Sequence, residues 1–425
     1  MQASTPAGSQ AISRRVVAAT VIGNALEFYD FVTYAFFAVY IGKNFFPAGD
    51  EFISLLMSVA VFGVGFVTRP LGGILIGAYA DRAGRKPAML LTIVLITIGT
   101  LGLALTPSYE SIGIAAPIIV VLARLVQGLA LGGEIGPSSA FLIESAPASK
   151  RGLYGSWQLA SQGIAAVVAG GFGMVLAANM SPADLQAWGW RVPFAVGLLL
   201  IPLAIYLRKS MPETLEHGTA EHQPQKAGTL LRQHARLVTL ALLALMGGTV
   251  STYVNNYMTT FAISTLKFPA VTAMAATVMS GCATLVFSLL GGWLCDRIGR
   301  KTVMFVPRLA AALLTYPAFT YLIEQKTTSA LFGVAILLGA LTALSGAASL
   351  VAIPELLPRR VRAIGLSLAY AVAVTLFGGT TQLVVTWLIE STGNPASPAW
   401  YVTITSAIAA IAMLLMPEGR NKQLH

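Results

Sequence analysis

Gly77-Ala-Tyr-Ala-Asp81-Arg82-Ala-Gly84-Arg85-Lys86 is a charged knot between two long apolar runs. It returns as Gly292-Trp-Leu-Cys-Asp296-Arg297-Ile-Gly299-Arg300-Lys301, and both copies read G-x-x-x-D-R-x-G-R-K. Charge of this density cannot rest in hydrocarbon, so each copy is expected as a short loop joining two membrane helices. Asp81 and Asp296 stand 215 positions apart, about half of 425, which divides the chain into two related halves.

The flanks of the motif resemble the rest of the chain. It is 56% hydrophobic and 10% charged, against roughly 25% charged in an average soluble protein, and its mean hydropathy is +0.74. Apolar runs of spanning length fall at 16–41, 53–77, 87–106, 113–143, 154–179, 190–207, 236–262, 270–295, 302–323, 329–353, 362–389 and 398–416. They predict an all-α membrane protein of twelve transmembrane helices in two pseudo-symmetric six-helix bundles. The first run follows Arg14 and Arg15 and is long enough to span, so it reads as a retained helix rather than a cleaved signal. The 41 glycines suit close helix contact in lipid. Cys282 and Cys295 fall on one predicted helix, nearly 20 Å apart at about 1.5 Å per residue, too far to bridge.

A net charge of +10 raises nucleic acid as a partner, but topology accounts for it. With the N-terminus in the cytoplasm, four of the 27 Lys and Arg fall in outer segments: Lys43, Arg191, Lys267 and Lys326. Arg69, Arg124 and Arg308 lie within runs, and the remaining 20 face the cytoplasm. The expectation is a multi-pass protein of the bacterial inner membrane, monomeric, with both termini inside and the lipid bilayer as partner. The divisions are a tail at 1–15, a bundle at 16–208, a linker at 209–235, a bundle at 236–416 and a tail at 417–425. His217, His222 and His234 lie in that linker, but their spacing fits no compact metal set, so a solvated connection is expected.

A second duplication supports the division. Glu144 precedes Arg151 by seven residues with Pro147 between, and Glu355 precedes Arg362 by seven with Pro358 between. Parallel halves with binding at their interface are a transporter architecture.

At this point the chain resembles the major facilitator superfamily, on its doubled loop motif and its two E-x-x-P…R segments. Finer features resemble the metabolite:proton symporters: Gly23-Asn24-Ala-Leu-Glu27-Phe28-Tyr29-Asp30-Phe31, Thr68-Arg69-Pro70-Leu-Gly72-Gly73, Ala123-Arg124-Leu-Val-Gln127-Gly128 and Trp188-Gly-Trp190-Arg191-Val-Pro193-Phe194. Phe45-Phe46-Pro47, Ser156-Trp157-Gln158 and Ser367-Leu-Ala-Tyr370 look most like citrate and tricarballylate carriers. The chain departs from those carriers at Thr249–Tyr257, in the eighth run, at Ser345–Ser349 and at Pro137. The resemblance implies proton-coupled symport of a citrate-like di- or tricarboxylate by alternating access. Alternatives are another polar metabolite (2-oxoglutarate, shikimate or a betaine) or sodium as the coupling ion.

Asn24, Glu27, Asp30 and Tyr34 recur at helical spacing and predict one polar stripe on the first run. Carboxylates in mid-bilayer need a partner, water or a proton. Desolvation disfavours the charged carboxylate, so such a group can change protonation as a cavity opens to each side. Asp30 is the first candidate for the proton, Glu27 the second, and Glu134 completes the set. An alternative is packing carboxylates in salt bridges. The resemblance implies that Arg124 faces Asp30; an Arg fork also suits a solute carboxylate, and competition between the two would couple them. Arg69 is either a second carboxylate ligand or a tie to Glu27 or Glu134. Arg308 is expected to snorkel to the cytoplasmic surface. Gln127, Gln158, Gln162, Tyr253, Asn256, Tyr257, Tyr370, Thr380 and Gln382 are candidates to bind solute oxygens or to bond helix to helix.

The loop motif is expected to gate. Gly77, Asp81, Arg82, Arg85, Glu144 and Arg151 form one set, and Asp296, Arg297, Arg300, Glu355 and Arg362 the other. Lipid-headgroup anchoring is the plainer role for such basic loops. A membrane enzyme would need a nucleophile–base pair or metal ligands within the runs, and all four histidines lie outside them. No cofactor is expected beyond the coupling ion.

Overall fold

A computed structural model describes residues 14–83, 85–132, 142, 146–210, 234–356 and 369–417. The described residues are helical with short connections. In chain order the helices are α1 (Arg14–Phe36), α2 (Ala38–Phe45), α3 (Glu51–Val67), α4 (Arg69–Ala83), α5 (Arg85–Leu105), α6 (Tyr109–Ile112), α7 (Ala115–Gly132) and α8 (Arg151–Asn179). There follow α9 (Pro182–Ala187), α10 (Val192–Ser210), α11 (Ala235–Ser264), α12 (Ala270–Ile298), α13 (Arg300–Gln325), α14 (Thr328–Leu356), α15 (Gly379–Thr392) and α16 (Ser397–Leu415). Ten helical stretches among the described residues are long and apolar enough to cross a membrane, α3 and α4 counting as one.

Several expected boundaries move. The first run breaks at Phe37, and the second kinks at Thr68, just before Pro70, which has no N–H to give a continuing helix. Six residues before α15, Ala373–Gly378, wind as a π-helix. This is a wide turn of the kind found at functional sites. The linker lies outside the described residues except at its edges. Cys282 and Cys295 are free and share α12, as expected.

The opening motif is less of a loop than expected. Asp296 and Arg297 belong to the last turn of α12, and α13 begins at Arg300. The break is Gly299, whose φ of 109° would strain any residue with a Cβ.

The halves meet along α8 and α12, where glycine faces glycine. A Cβ on Gly163 would lie 2.8 Å from Gly281 O, so these backbones touch without side chains between them. At the opposite end from the basic motifs, Thr260 Oγ1 donates to Ala35 O at 3.2 Å, tying α11 to α1. Between the two ends lies the site.

Candidate functional site

Helix α1 separates two small chambers. The central one, a cavity of about 40 Å³, is lined by Phe28, Phe31 and Val32 of α1 and by residues of α8, α11, α12 and α14. Gln162, Thr252, Asn255, Asn256, Ser280, Thr284 and Thr342 give it a neutral hydrogen-bonding wall. Asn255 Nδ2 donates to Ser280 Oγ at 2.6 Å, while Asn255 Oδ1 is buried with no partner. Of the candidate residues, Gln162, Tyr253 and Asn256 line this cavity. Asn255 and Ser280 were missed, although the neighbouring Asn256 was a signal for the first.

Two buried guanidiniums stand behind one wall of this cavity. Arg69 lies 4.0 Å from the Phe66 ring centroid and 4.8 Å from that of Phe31. Arg124 lies 4.5 Å from the Tyr34 ring and 5.4 Å from the same Phe31 ring. Such stacking suits a weakly hydrated planar cation. Tyr253 bonds Arg69 and also lines the cavity. Among the described residues lining the cavity none is acidic, and both guanidiniums lie against its Phe31 ring.

The second chamber, also about 40 Å³, lies on the opposite face of α1, against α5 and α10. Glu27 and Asp30 line it, with Thr100, Gly197 and apolar side chains. Asp30 Oδ2 accepts from Thr100 Oγ1, and from Gln127 Nε2 at 3.2 Å. Asp30 Oδ1 is buried with no partner and faces Gly197, where a Cβ would stand 2.9 Å away.

The expected polar stripe is thus divided among neighbours. Asn24 turns to α8, accepting from Gln158 Nε2 at 3.0 Å and donating to Ser161 Oγ. Tyr34 turns to α3, donating to Ser58 O at 3.1 Å. The implied Asp30–Arg124 contact is not direct: Gln127 stands between them, accepting from Arg124 Nη1 at 2.9 Å.

Other expected residues scatter. Tyr257 accepts from Thr386 Oγ1 at 2.9 Å within the second half. Tyr370 is half-buried, within electrostatic reach of Arg69 and Tyr253. Thr380 is exposed on α15 and bonded to its own helix at Leu376 O, so it does not reach the cavity. Gln382 is fully buried with neither amide atom partnered. Arg308 does not snorkel: it is fully buried and donates to Gly247 O at 3.0 Å and Ser251 Oγ at 2.8 Å. Those acceptors on α11 are nearer than any surface.

At the basic end the second copy of the motif assembles. Asp296 accepts from Gly152 N at 2.9 Å and Leu153 N at 3.0 Å, capping α8 of the other half. A carboxylate there meets both unpaired N–H groups and the positive end of the helix dipole. Arg300 donates to both Glu355 oxygens, at 3.0 and 3.4 Å, and lies 3.7 Å from Asp296. Arg297 stacks on Trp293 at 4.1 Å. Of the first copy, Gly77 has open space around it, Arg82 is exposed and Arg151 is half-buried. The side chains of Asp81 and Arg85, with Glu134, Glu144 and Arg362, lie outside the described residues.

Comparison with known proteins places this geometry. The model of the family "Sugar (and other) transporter" matches residues 16–227 and 214–425. A citrate-proton symporter from Salmonella typhi is 36% identical over 422 residues, covering 98% of this chain and 97% of that one. An alpha-ketoglutarate permease from Escherichia coli is 35% identical over 420 residues, covering 95% and 93%. Among solved structures, the xylose transporter XylE from E. coli, partially occluded and inward open, superposes with a TM-score of 0.78 at 19% identity. That match covers 96% of this chain and 99% of the other and speaks to the fold alone. The chain belongs to the Sugar (and other) transporter family of the major facilitator superfamily, and like its relatives it is a membrane transporter rather than an enzyme.

Proposed function

We propose that this protein is a proton-coupled symporter of a small organic anion, a citrate-like di- or tricarboxylate, working by alternating access in a bacterial inner membrane. In this reading α1 and α5 also span, making twelve membrane helices in two bundles with both termini in the cytoplasm. The observation that carries it is the cavity wall: neutral donors and acceptors in front, Arg69 and Arg124 behind, and no acid among the described lining residues. A cavity so biased favours an anion, and two guanidiniums suit more than one carboxylate. The relatives named for citrate and for alpha-ketoglutarate support the same class. Asp30, in its separate chamber, is the proton carrier, with Glu27 beside it on the same lining.

Purified protein in proteoliposomes tests this. Citrate and 2-oxoglutarate uptake should accumulate against a gradient when the inside is alkaline, in sodium-free buffer. Accumulation that needs sodium, or none with either acid, sinks the reading. Asp30→Asn should abolish the accumulation.

A further inference from the structure

Asp30 and Arg124 do not touch, and the side chain between them has both ends occupied. Gln127 is 3% exposed. Its Oε1 accepts from Arg124 Nη1 at 2.9 Å, and its Nε2 donates to Asp30 Oδ2 and Thr100 Oγ1, both at 3.2 Å. The amide has one orientation that satisfies both neighbours, because guanidinium only donates and carboxylate only accepts. Gly99 leaves the seat open: a Cβ there would lie 3.2 Å from Gln127 Cδ. Apart from its ring contacts, Arg124 has little else to hold it. Its Nη2 reaches Phe62 O only at 3.4 Å, and its Nε has no partner.

We infer that Gln127 is a positioning residue that converts the protonation of Asp30 into the availability of Arg124 for a solute carboxylate. The inference rests on Asp30 being the proton carrier. While Asp30 is charged, its bond to Nε2 is charge-assisted, the amide is fixed, and Oε1 holds Arg124 back. A proton from bulk solvent, arriving through the second chamber, forms an O–H bond at Oδ1, the oxygen that accepts no bond. The charge on the carboxyl is gone, the Nε2 bond becomes an ordinary one, and the amide can turn. Arg124 then loses its one firm acceptor and swings past Phe31 to the solute. Departure of the solute returns the guanidinium to Oε1, re-fixes the amide and favours release of the proton. The two passengers are thereby coupled across α1 without sharing a cavity.

Among the described residues, the ionisable groups around this relay are few. They are Glu27, Tyr29 and Tyr34 from α1, Arg69 from α4, Arg124 itself and Tyr253 from α11. Among the described residues lining the second chamber, α5 and α10 add none.

The test is solute affinity against pH on purified protein, with 2-oxoglutarate and citrate as probes, for the wild type, Gln127→Met and Asp30→Asn. Titration of the probe itself cancels between variants. Wild-type affinity should be about five- to tenfold higher near pH 6 than near pH 8, the difference between a charge-assisted and an ordinary hydrogen bond. In Gln127→Met that slope should vanish, because Met fills the seat without carrying a hydrogen bond. Asp30→Asn should be equally flat. Gln127→Asn, too short to span the gap, gives the same comparison if the Met variant does not elute as a folded monodisperse protein. A slope retained in the Gln127 variants overturns the relay and leaves Asp30 as carrier. A flat wild-type profile, or no binding of either acid, overturns the reading beneath it as well.

Discussion

Asp296→Asn should unlatch the basic end of the transporter. The wild-type carboxylate accepts two backbone N–H bonds from the first turn of α8, at 2.9 and 3.0 Å, across the boundary between halves. Its side chain is only 10% exposed, so screening by water is partial. Hydrogen bonds to charged groups contribute about 1.5–3 kcal/mol each. Asparagine keeps one accepting oxygen, presents an N–H₂ to the other backbone N–H, and no longer complements the helix dipole. The closed arrangement should lose about 2 kcal/mol, a shift of roughly thirtyfold toward opening. The assay is thiol labelling of a reporter at Ser156, which is fully buried beside Gly292, after replacing Cys282 and Cys295. Ser156→Cys should label about thirtyfold faster when Asp296→Asn is added, within the error of that hydrogen-bond estimate. Unchanged labelling would refute the latch. So would an equal loss of solute affinity in protein held open and in protein held closed, since that outcome describes a binding residue.

Three further perturbations probe the chambers. Arg69→Lys should weaken anion binding about tenfold, because an ammonium forfeits the planar stacking on Phe66 and Phe31; equal affinity in a radioligand titration would remove Arg69 from the solute site. Gly197→Ala places a methyl 2.9 Å from Asp30 Oδ1 and should slow pH-driven accumulation several-fold while changing little in solute exchange; an unaltered accumulation rate would show that the carboxyl has room to spare. Asn255→Leu removes the unpartnered Oδ1 at the cavity and should cut the preference for citrate over its deoxy analogue tricarballylate by about fivefold, one hydrogen bond's worth. A preserved ratio in competition binding would mean that no solute hydroxyl reaches that oxygen.

Much of the architecture was legible because it depends on properties a one-dimensional string retains: run length and the repeat of Asp81 as Asp296. The site was legible in part. Asn24, Glu27, Asp30 and Tyr34 do fall within about 120° of helix circumference at 100° per residue. Three different neighbours divide that arc: α8 takes Asn24, the chamber against α5 and α10 takes the acids, and α3 takes Tyr34. Which helix stands beside which is a packing fact, and spacing does not contain it. Arg308 illustrates the same gap. Seven residues past Lys301 it has the reach to snorkel, yet Gly247 O and Ser251 Oγ on α11 bind it inside. Thr380 is exposed on its helix, two residues past the π-helical turn at Ala373–Gly378, and a wide turn of that kind breaks the regular spacing that a sequence reading assumes.

The partition made by α1 bears on how such a carrier can change its diet. Phe28, Phe31 and Val32 line the central cavity, while Glu27 and Asp30 line the chamber on the other side. Under the proposed function, replacing Asn255, Ser280 or Thr342 would remodel the cargo hold without touching the residues that line the proton chamber. A single scaffold can then exchange one acid for another by drift on one side of a helix. The proposed proton chamber, walled off on the other side, would need no retuning each time.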